Sequence, residues 1–283
     1  MKVRNIGKIE SGQDGAIWQE FLFRFSANGE CGVYRMAELG QAEPCARFIL
    51  DKATLICPHS NAVFFGCEYY EAGDEFPLLY TNVYNTYKAS DNRREGECCV
   101  YRIWQEGEEF KSKLVQIIKI GFTEDTELWK SLSADGDVRP YGNFVLDRVK
   151  RKLYAFVMRD KNKKTRFFSF NLPSFKDGIF DSKLGVAVKI IDRSEILSYF
   201  DTDYMQYMQG ACFYGGKIYS LEGFTSNEKY PPAIRVINVE SKAEELFLLF
   251  ADFGLSVEPE FIDFYNDTCY YIDAYGSTYV IAF

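Results

Sequence analysis

The chain has 283 residues, 47% of them hydrophobic, so it can form a sizeable core and is not intrinsically disordered. Its formal net charge is −8 and its Lys and Arg residues form no stripe, which argues against nucleic acid as a partner. The N-terminus lacks the pattern of a signal peptide, no apolar run approaches a membrane span, and the eight cysteines fit reduced thiols, so we expect a cytoplasmic protein without membrane contact.

A short motif occurs five times along the chain, and each copy leads from polar or small residues into apolar ones. The copies span 13–17, 59–63, 141–145, 208–212 and 258–262. Each is followed, after a turn, by an aromatic strand, at 20–23, 77–80, 152–156, 217–220 and 269–272 respectively. Aromatic residues make up 17% of the chain, and flat rings pack well on a pleated sheet. A repeat of this kind, carried by short strands, is typical of a β-propeller.

Two further strands are predicted in each of the first four units. They lie at 30–35 and 46–50, 98–103 and 114–120, 165–170 and 186–191, and 233–238 and 245–250. Four strands per unit is the number typical of a propeller blade. The sequence therefore predicts an all-β protein, a five-bladed β-propeller with four-stranded antiparallel blades.

The fifth unit has one strand fewer than the others. We expect the segment 2–9 to supply the missing strand, because its sequence resembles the predicted outer strands at 115–121 and 186–191. Pairing this strand with the last blade closes the ring and removes exposed sheet edges. The predicted organisation is a single propeller domain over 1–283. Its blades are expected at about 10–52, 56–122, 138–192, 205–252, and 257–283 together with 2–9.

The starts of the five inner strands carry the candidate site. In a propeller these strands line the central channel, so the residues that open the repeats converge at its mouth. The polar residues at these positions are Gln13, Asp14, His59, Asn61, Tyr141, Asn143, Gln209, Glu258 and Glu260. Convergent polar groups in a concave site predict ligand binding. Each residue also has a plainer interpretation, as a turn-capping His or Asn or as a solvated Glu.

Three chemistries are weighed for this ring. A hard cation such as calcium is the one cofactor we consider, and its oxygen ligands would come from Asp14, Asn61, Asn143 and Glu260. An ordered water column fits the same ring equally well. Paired carboxylates such as Asp14 and Glu260 suit glycoside cleavage if their separation is right. Zinc bound by Cys57, His59 and Cys67 is disfavoured, because no C-x-x-C motif is present.

The segment 208–223, which reads MQGACFYGGKIYSLEG, and the strand 233–237 after it resemble the repeat of plant-type glutaminyl cyclases. That group shares a five-bladed propeller architecture with calcium-dependent apyrases and arabinanase-type glycosidases. The resemblance implies this fold for the whole chain. Its sequence similarity covers one blade, so it implies the fold and not the activity, because fold alone does not determine function.

The preferred interpretation is a propeller that binds a small polar ligand, such as a carbohydrate, at the channel mouth. Ligand contacts are assigned to Gln13, Asp14, Asn61, Tyr141, Asn143 and Gln209. Stacking on a sugar face is expected from Tyr141 and from the loop residues Tyr69, Tyr70, Phe224 and Tyr230. The long connections 68–75, 122–137, 193–207 and 225–232 are expected to form walls of the mouth.

Two alternatives stay open. A glycosidase-type hydrolase would use His59, Glu258 and Glu260 as its acids and bases, and it requires strongly shifted pKa values in a cleft. A protein-interaction platform would have an inert channel and an exposed apolar patch on its rim. The expected partner is thus a small molecule or sugar, with a protein partner as the alternative.

Overall fold

Five β-sheets, arranged in a ring as propeller blades, make up the computed structural model. It describes residues 1–83, 94, 96–122, 141–157, 163–203, 207–225 and 228–283, and the side chains of residues 41, 42, 141 and 142 lie outside this description. The all-β, five-bladed fold predicted from the sequence is confirmed. Among the described residues, no helix is long and apolar enough to cross a membrane.

The strands are short and follow one another with little helix between them. In chain order they are β1 (Lys2–Ile9), β2 (Gly15–Trp18), β3 (Phe21–Phe25), β4 (Glu30–Arg35), β5 (Gln41–Ala42), β6 (Ala46–Ile49), β7 (His59–Phe65), β8 (Leu79–Val83), β9 (Glu97–Glu106), β10 (Glu109–Ile120), β11 (Tyr141–Asp147), β12 (Lys152–Val157), β13 (Thr165–Asn171), β14 (Ile179–Asp181), β15 (Val186–Ile191), β16 (Ser198–Thr202), β17 (Met208–Tyr214), β18 (Lys217–Glu222), β19 (Ala233–Asn238), β20 (Ala243–Leu249), β21 (Pro259–Tyr265), β22 (Thr268–Asp273) and β23 (Ser277–Ala282). The described helical elements are α1 (Ala53–Ile56) and 3-10 turns at Met36–Glu38, Arg193–Glu195 and Phe250–Phe253.

Each blade is an antiparallel sheet whose first strand lies nearest the propeller axis. The blades are β2-β3-β4-β6, β7-β8-β9-β10, β11-β12-β13-β16, β17-β18-β19-β20 and β21-β22-β23-β1. Second strands such as β3 and β8 are buried along their whole length, as expected for strands with a neighbouring blade on each face. The inner strands β2, β7, β11, β17 and β21 contact one another, so their starts meet at one end of the axis.

The N-terminal strand closes the ring, as predicted. β1 runs antiparallel to β23, with Lys2 opposite Ala282. Its last two residues also pair in parallel with β5 of the first blade. The crossing is tight, because a Cβ on Gly7 would lie 2.3 Å from the carbonyl oxygen of Gly40. Gly7 has a positive φ of 134°, a backbone conformation that glycine adopts without steric cost.

The outer strand of the third blade differs from the prediction. The segment 186–191, predicted for this position, forms β15. This strand pairs in parallel with β10 of the second blade, and β14 pairs with its other side. The outer strand is instead β16, which pairs with β13. Gln116 of β10 holds this excursion against the second blade by donating from Nε2 to the carbonyl oxygens of Ser174 and Asp177, at 2.7 and 2.8 Å.

Aromatic rings fill the space between the first and second blades. The ring centroid of Phe23 lies 5.2 Å from that of Phe65, 5.4 Å from Phe76 and 5.6 Å from Phe110, each pair edge to face. All four side chains are buried. Burial of each ring stabilises the fold by about 2–3 kcal/mol, and each edge-to-face pair adds about 1 kcal/mol. This packing fixes the positions of the inner strands and of the residues at their starts.

Candidate functional site

Most of the polar residues predicted at the channel mouth lie buried at the propeller axis. The exposed fraction is 0% for Asp14, 3% for Asn61, 1% for Asn143, 5% for Gln209 and 3% for Glu260. The starts of inner strands from all five blades therefore contribute to one buried polar region. Partly exposed residues at the same end are Gln13, His59 and Glu258.

Three blades meet at Gly210 in the fourth blade. A Cβ there would lie 2.1 Å from the carbonyl oxygen of Glu260 and 2.9 Å from Oδ1 of Asp14. Glycine is therefore required at this position, because any side chain would force the inner strands of the fourth and fifth blades apart. The backbone of Asp14 is also tied to the second blade, since its N–H donates to the carbonyl oxygen of Ser60 at 3.2 Å.

Side-chain hydrogen bonds connect the first three blades around the axis. Oδ2 of Asp14 accepts from the backbone N–H of Val63 at 2.8 Å. Asn82, near the end of β8, donates from Nδ2 to Oδ1 of Asn143 at 2.9 Å. Its Oδ1 accepts from the backbone N–H of Ala62 at 2.7 Å. These bonds fix the rotamers of Asp14, Asn82 and Asn143, because buried polar groups are costly to leave unpaired.

The same kind of bond continues through the fourth and fifth blades. Asn143 donates from Nδ2 to the carbonyl oxygen of Gln209. Gln209 in turn donates from Nε2 to Oε1 of Glu258 at 2.6 Å. Gln13 donates to Oε1 of Glu260 at 3.4 Å, which returns the chain of contacts to the first blade. Part of the predicted ring therefore has a structural role, because its hydrogen bonds link neighbouring blades.

Arg24 on β3 is a buried cation at this end of the axis that sequence reasoning missed. It is 3% exposed, and its Nη2 donates to the carbonyl oxygens of Gly12 at 2.8 Å and Asp273 at 3.4 Å. Its guanidinium carbon lies 5.9 Å from the centre of the Phe261 ring. The available signal was an arginine inside an otherwise apolar strand, where a charge is rare unless it is paired.

The carboxyl groups near Arg24 are driven towards their neutral forms. Burial raises the pKa of Asp14 well above its usual value, and the charge of Arg24 only partly offsets this. Burial and then the neighbouring charge of Glu258 raise the pKa of Glu260 well above its usual value, again against Arg24. Burial also raises the pKa of Glu258. The three acids therefore share one direction of shift, whose main cause is the loss of water.

Several of these buried groups keep polar atoms for which no hydrogen-bond partner is found in the described part of the chain. The atoms are Oδ1 of Asp14, Nε and Nη1 of Arg24, Oγ of Ser60, Oδ1 of Asn61 and Oε2 of Glu260. We refer to these five residues as the axial cluster. Buried polar atoms in native proteins almost always have a partner, so each unpaired atom calls for a water molecule or a ligand.

The backbone at the start of β7 is strained. His59 and Ser60 have positive φ angles of 58° and 55°, and Cys57 has 51°. Non-glycine residues adopt this left-handed conformation at a cost of about 1 kcal/mol or more each. The strain lies where Ser60 and Asn61 enter the axial cluster, and the backbone N–H of His59 donates to the carbonyl oxygen of Ala27 at 3.1 Å. Strained backbone is concentrated at functional sites in many proteins.

The aromatic residues predicted for stacking divide between the two ends of the propeller. Phe224 and Tyr230 lie at the mouth, where Tyr207 packs 5.6 Å from each ring. Tyr141 begins β11 at this end, but its side chain lies outside the described residues. The prediction for Tyr69 and Tyr70 is wrong, because the loop from β7 to β8 leaves from Phe65, at the end of β7 opposite His59.

The connections predicted as walls of the mouth have mixed outcomes. The loop 68–75 lies at the opposite end, as its tyrosines do. Residues 123–137 lie outside the described part, as do 204–206 and 226–227. The stretch 193–207 begins with the 3-10 turn Arg193–Glu195 and continues as β16. The described part of 225–232 starts at Thr225, whose Oγ1 accepts from the backbone N–H of Glu258 at the mouth.

A cleft of about 570 Å³ leads from the surface to Arg24. It lies where the N-terminal segment passes the first blade, and Arg24 lines it. Its wall combines the ion pair of Arg47 with Glu10, the apolar side chain of Phe48 and the hydroxyl of Tyr34. Burial raises the pKa of Tyr34 to about 12, so this hydroxyl stays protonated and can donate or accept. Of the axial cluster, Arg24 lines this cleft, while Asp14, Ser60, Asn61 and Glu260 do not.

Metal ligands are not grouped within the described part of the chain, where no three His, Cys, Asp or Glu side chains come close enough to share an ion. The amide of Asn143 is engaged on both sides, by Asn82 and Gln209. Of the other ligands proposed for calcium, Asp14 and Glu260 lie near the positive charge of Arg24, which would repel a second cation. Cys67 follows the end of β7 opposite His59, so Cys57, His59 and Cys67 do not converge.

Comparisons with known proteins support no family assignment. No family model matches the chain, and no curated protein matches it. Hydrazine synthase from Kuenenia stuttgartiensis is 9% identical with a TM-score of 0.45, over 91% of this chain and 60% of that one. BamB from Moraxella catarrhalis is 9% identical with a TM-score of 0.36, over 96% and 58%. A chain of the nidogen/laminin complex is 11% identical with a TM-score of 0.42, over 92% and 71%.

This chain spans about 60% of the length of the first two proteins. Likenesses this distant carry no argument about activity. The propeller fold is compatible with ligand binding or with protein interaction. The choice between them has to come from the site itself.

Proposed function

We propose that this propeller binds a small, uncharged, hydroxyl-rich ligand of the carbohydrate type at its axial cluster. The observation that carries the proposal is the set of unpaired buried atoms on Asp14, Arg24, Ser60, Asn61 and Glu260. Each such atom costs about 1–3 kcal/mol if it stays without a partner. A ligand that provides those partners gains much of this energy on binding.

The mixture of atoms in the cluster defines the class of ligand. Arg24 offers donors, while the carboxyl and amide oxygens of Asp14, Asn61 and Glu260 can accept. A hydroxyl group donates and accepts at once, so one sugar ring can satisfy both kinds of atom. A cation would be repelled by the charge of Arg24. Ordered water occupies such a cluster when no ligand is bound.

Binding without turnover is favoured over glycoside hydrolysis. Glycosidases need one carboxyl group that holds its proton and a second that is ionised, so their pKa values are pushed apart. Burial instead raises the pKa of Asp14, Glu258 and Glu260 together. Arg24 counters the shift at both Asp14 and Glu260, so the directions of the two shifts do not separate an acid from a base.

Isothermal titration of a panel of mono- and disaccharides into the purified chain tests the proposal. Ser60→Ala removes a hydroxyl whose Oγ has no hydrogen-bond partner, so the fold should lose little while binding of the active sugar weakens about fivefold, as expected for one hydrogen bond of ~1 kcal/mol. Ser169→Ala is the matched control, because this buried serine lies in the third blade and bonds to Ser198. It should leave the affinity unchanged.

Two results would contradict the proposal. One is the absence of heat from every sugar while calcium alone stabilises the chain and a chelator reverses the effect. The other is a sugar affinity that Ser60→Ala and Ser169→Ala change equally. The first result would favour the cation hypothesis, and the second would move the site away from the axis.

A further inference from the structure

A second feature lies far from the channel, on the outer edge of the second blade. β14 is the last strand of its six-stranded sheet, and among the described strands none pairs with its outer side. Ile179 and Phe180 of β14 are 80% and 68% exposed, and the neighbouring Ile190 is 49% exposed. A free sheet edge with apolar side chains is a template for a further strand.

Other outer strands of this propeller carry charges that protect them. Asp201 on β16 pairs with Arg166 at 2.7 Å, and Glu245 on β20 pairs with Lys217 at 2.6 Å. Charged side chains on an edge hinder pairing with another chain. The one charge on β14 belongs to Asp181, whose Oδ1 accepts from the backbone N–H of Leu184 inside the next turn. The apolar residues of β14 are therefore left without this protection.

Two clefts flank this edge and share the apolar side chains of Ile179, Val188 and Ile190. The larger, of about 820 Å³, is also lined by Asp177, Lys189, Asp192 and Glu195. The smaller, of about 510 Å³, is also lined by Arg94, Glu97, Lys119, Phe180 and Lys183. Successive side chains of a strand point to opposite faces. Ile179 lies opposite Val188, and Ile190 is two residues further along β15, so these three side chains share one face of the sheet. Side chains that an added strand places on this face would therefore meet both clefts.

The larger cleft is acidic. Lys189 forms an ion pair with Glu195 at 2.8 Å. The carboxylate of Asp177 accepts from the backbone N–H of Ser174 at 3.0 Å, and that of Asp192 accepts from a backbone N–H within the turn it caps. The described lining of this cleft therefore carries three acids and one lysine, a net charge of −2.

The smaller cleft is closer to neutral. Arg94 and Lys119 both pair with Glu97, at 3.1 and 3.3 Å. Asp181 and Lys183 bring one charge of each sign. The two clefts therefore differ, and only the larger one strongly favours a positive side chain.

We propose that β14 receives an extended segment of a partner protein, added as a further strand, whose basic side chains enter the acidic cleft. Main-chain hydrogen bonds to the free edge would supply affinity, and side chains on the face that the two clefts share would supply specificity. Apolar residues of the segment would cover Ile179 and Phe180. The net charge of −8 on the chain would speed the approach of a basic partner.

A designed peptide tests this surface on the intact chain. The probe is a short fluorescein-labelled peptide in which valine alternates with lysine, and fluorescence anisotropy reports its binding. Its controls replace every lysine by glutamate, or carry N-methylated amides that cannot bond to a strand. We expect the lysine peptide to bind at least about tenfold more tightly than either control. Hydrogen exchange should then slow at residues 178–182.

A pair of edge variants locates the binding. Ile179→Asp adds a charge to the free edge and should weaken the lysine peptide about tenfold or more. Tyr199→Asp is the matched control, because Tyr199 is 53% exposed on the outer strand of the third blade. Thermal melting of both variants checks that the fold is kept, as expected for such exposed positions.

Each of the following results would overturn the proposal. The lysine peptide fails to bind, binds no better than the glutamate or N-methylated peptide, or binds Ile179→Asp as well as the wild-type chain. A wild-type dimer that Ile179→Asp dissolves, seen by sedimentation, would assign the edge to a second copy of this chain instead.

Discussion

At the residue scale, Arg24 is the group around which the polar axis is organised. A buried guanidinium is costly unless it is paired, and Arg24 lies near the carboxyl groups of Asp14 and Glu260 and bonds two backbone carbonyls. Burial nevertheless raises the pKa of both acids. The axis therefore holds one buried cation beside two acids that tend to keep a proton, so it presents both hydrogen-bond donors and acceptors.

The raised pKa of Glu260 predicts how stability depends on pH. The folded chain holds this proton to a higher pH than the unfolded chain does, so the contribution of Glu260 is fully present below the unfolded pKa of about 4.3 and is lost as the pH rises through the folded value. Glu260→Gln imitates the protonated carboxyl group. The free energy of unfolding of Glu260→Gln should increase relative to that of the wild type as the pH rises, by at most about 1.4 kcal/mol per pH unit.

Urea unfolding at several pH values measures this difference. The exposed Glu109 provides the control variant Glu109→Gln, with which the pH dependence of Glu260→Gln is compared. If the free energy of Glu260→Gln instead falls relative to the wild type at high pH, Glu260 is stabilised in its ionised form and the account of the axis is wrong.

The sequence indicated that Asp14, Asn61, Asn143, Gln209 and Glu260 lie at the starts of inner strands, and all five are buried. Their role as ligand contacts stays a prediction, and their hydrogen-bond partners could not be read from the sequence. Arg24 and Asn82 were missed, since they lie in second strands. Whether a second-strand side chain reaches the axis depends on how far the blades tilt and on strand register, which a motif does not encode.

At the element scale, the N-terminal strand has the largest structural role. β1 supplies the outer strand of the fifth blade and joins that blade to the first through β5. The prediction of this closure was possible because a missing strand and an unassigned strand of the right pattern were both visible in the sequence. The position of β16 in place of β15 was not predictable, because the two segments have similar patterns and the bonds from Gln116 to the excursion are not visible in the sequence.

Deletion of residues 1–10 tests the closure. Loss of β1 exposes the edge of β23, so the melting temperature should fall by about 10 °C or more, equivalent to several kcal/mol. A synthetic peptide of residues 1–10 added to the truncated chain should restore part of the loss, because it can occupy the same edge. An unchanged melting temperature after the deletion would show that the ring does not depend on β1.

At the scale of the whole molecule, the propeller separates two surfaces. Residues of all five blades form the buried polar region at the axis, while the excursion 172–192 forms an exposed edge on the second blade. The two sites share no residue, so ligand binding at one and peptide binding at the other can be abolished independently. The fold could be predicted from the sequence because the motif repeats five times. The excursion could not be predicted, because it interrupts this repeat.

The most direct test of the account is a high-resolution crystal structure of the chain soaked with the sugar that binds best in solution. We predict density for a sugar whose hydroxyl groups lie within hydrogen-bond distance of Arg24 and of at least two of Asp14, Ser60, Asn61 and Glu260. Density for ordered water alone at these atoms, with the sugar bound elsewhere, would contradict the central claim.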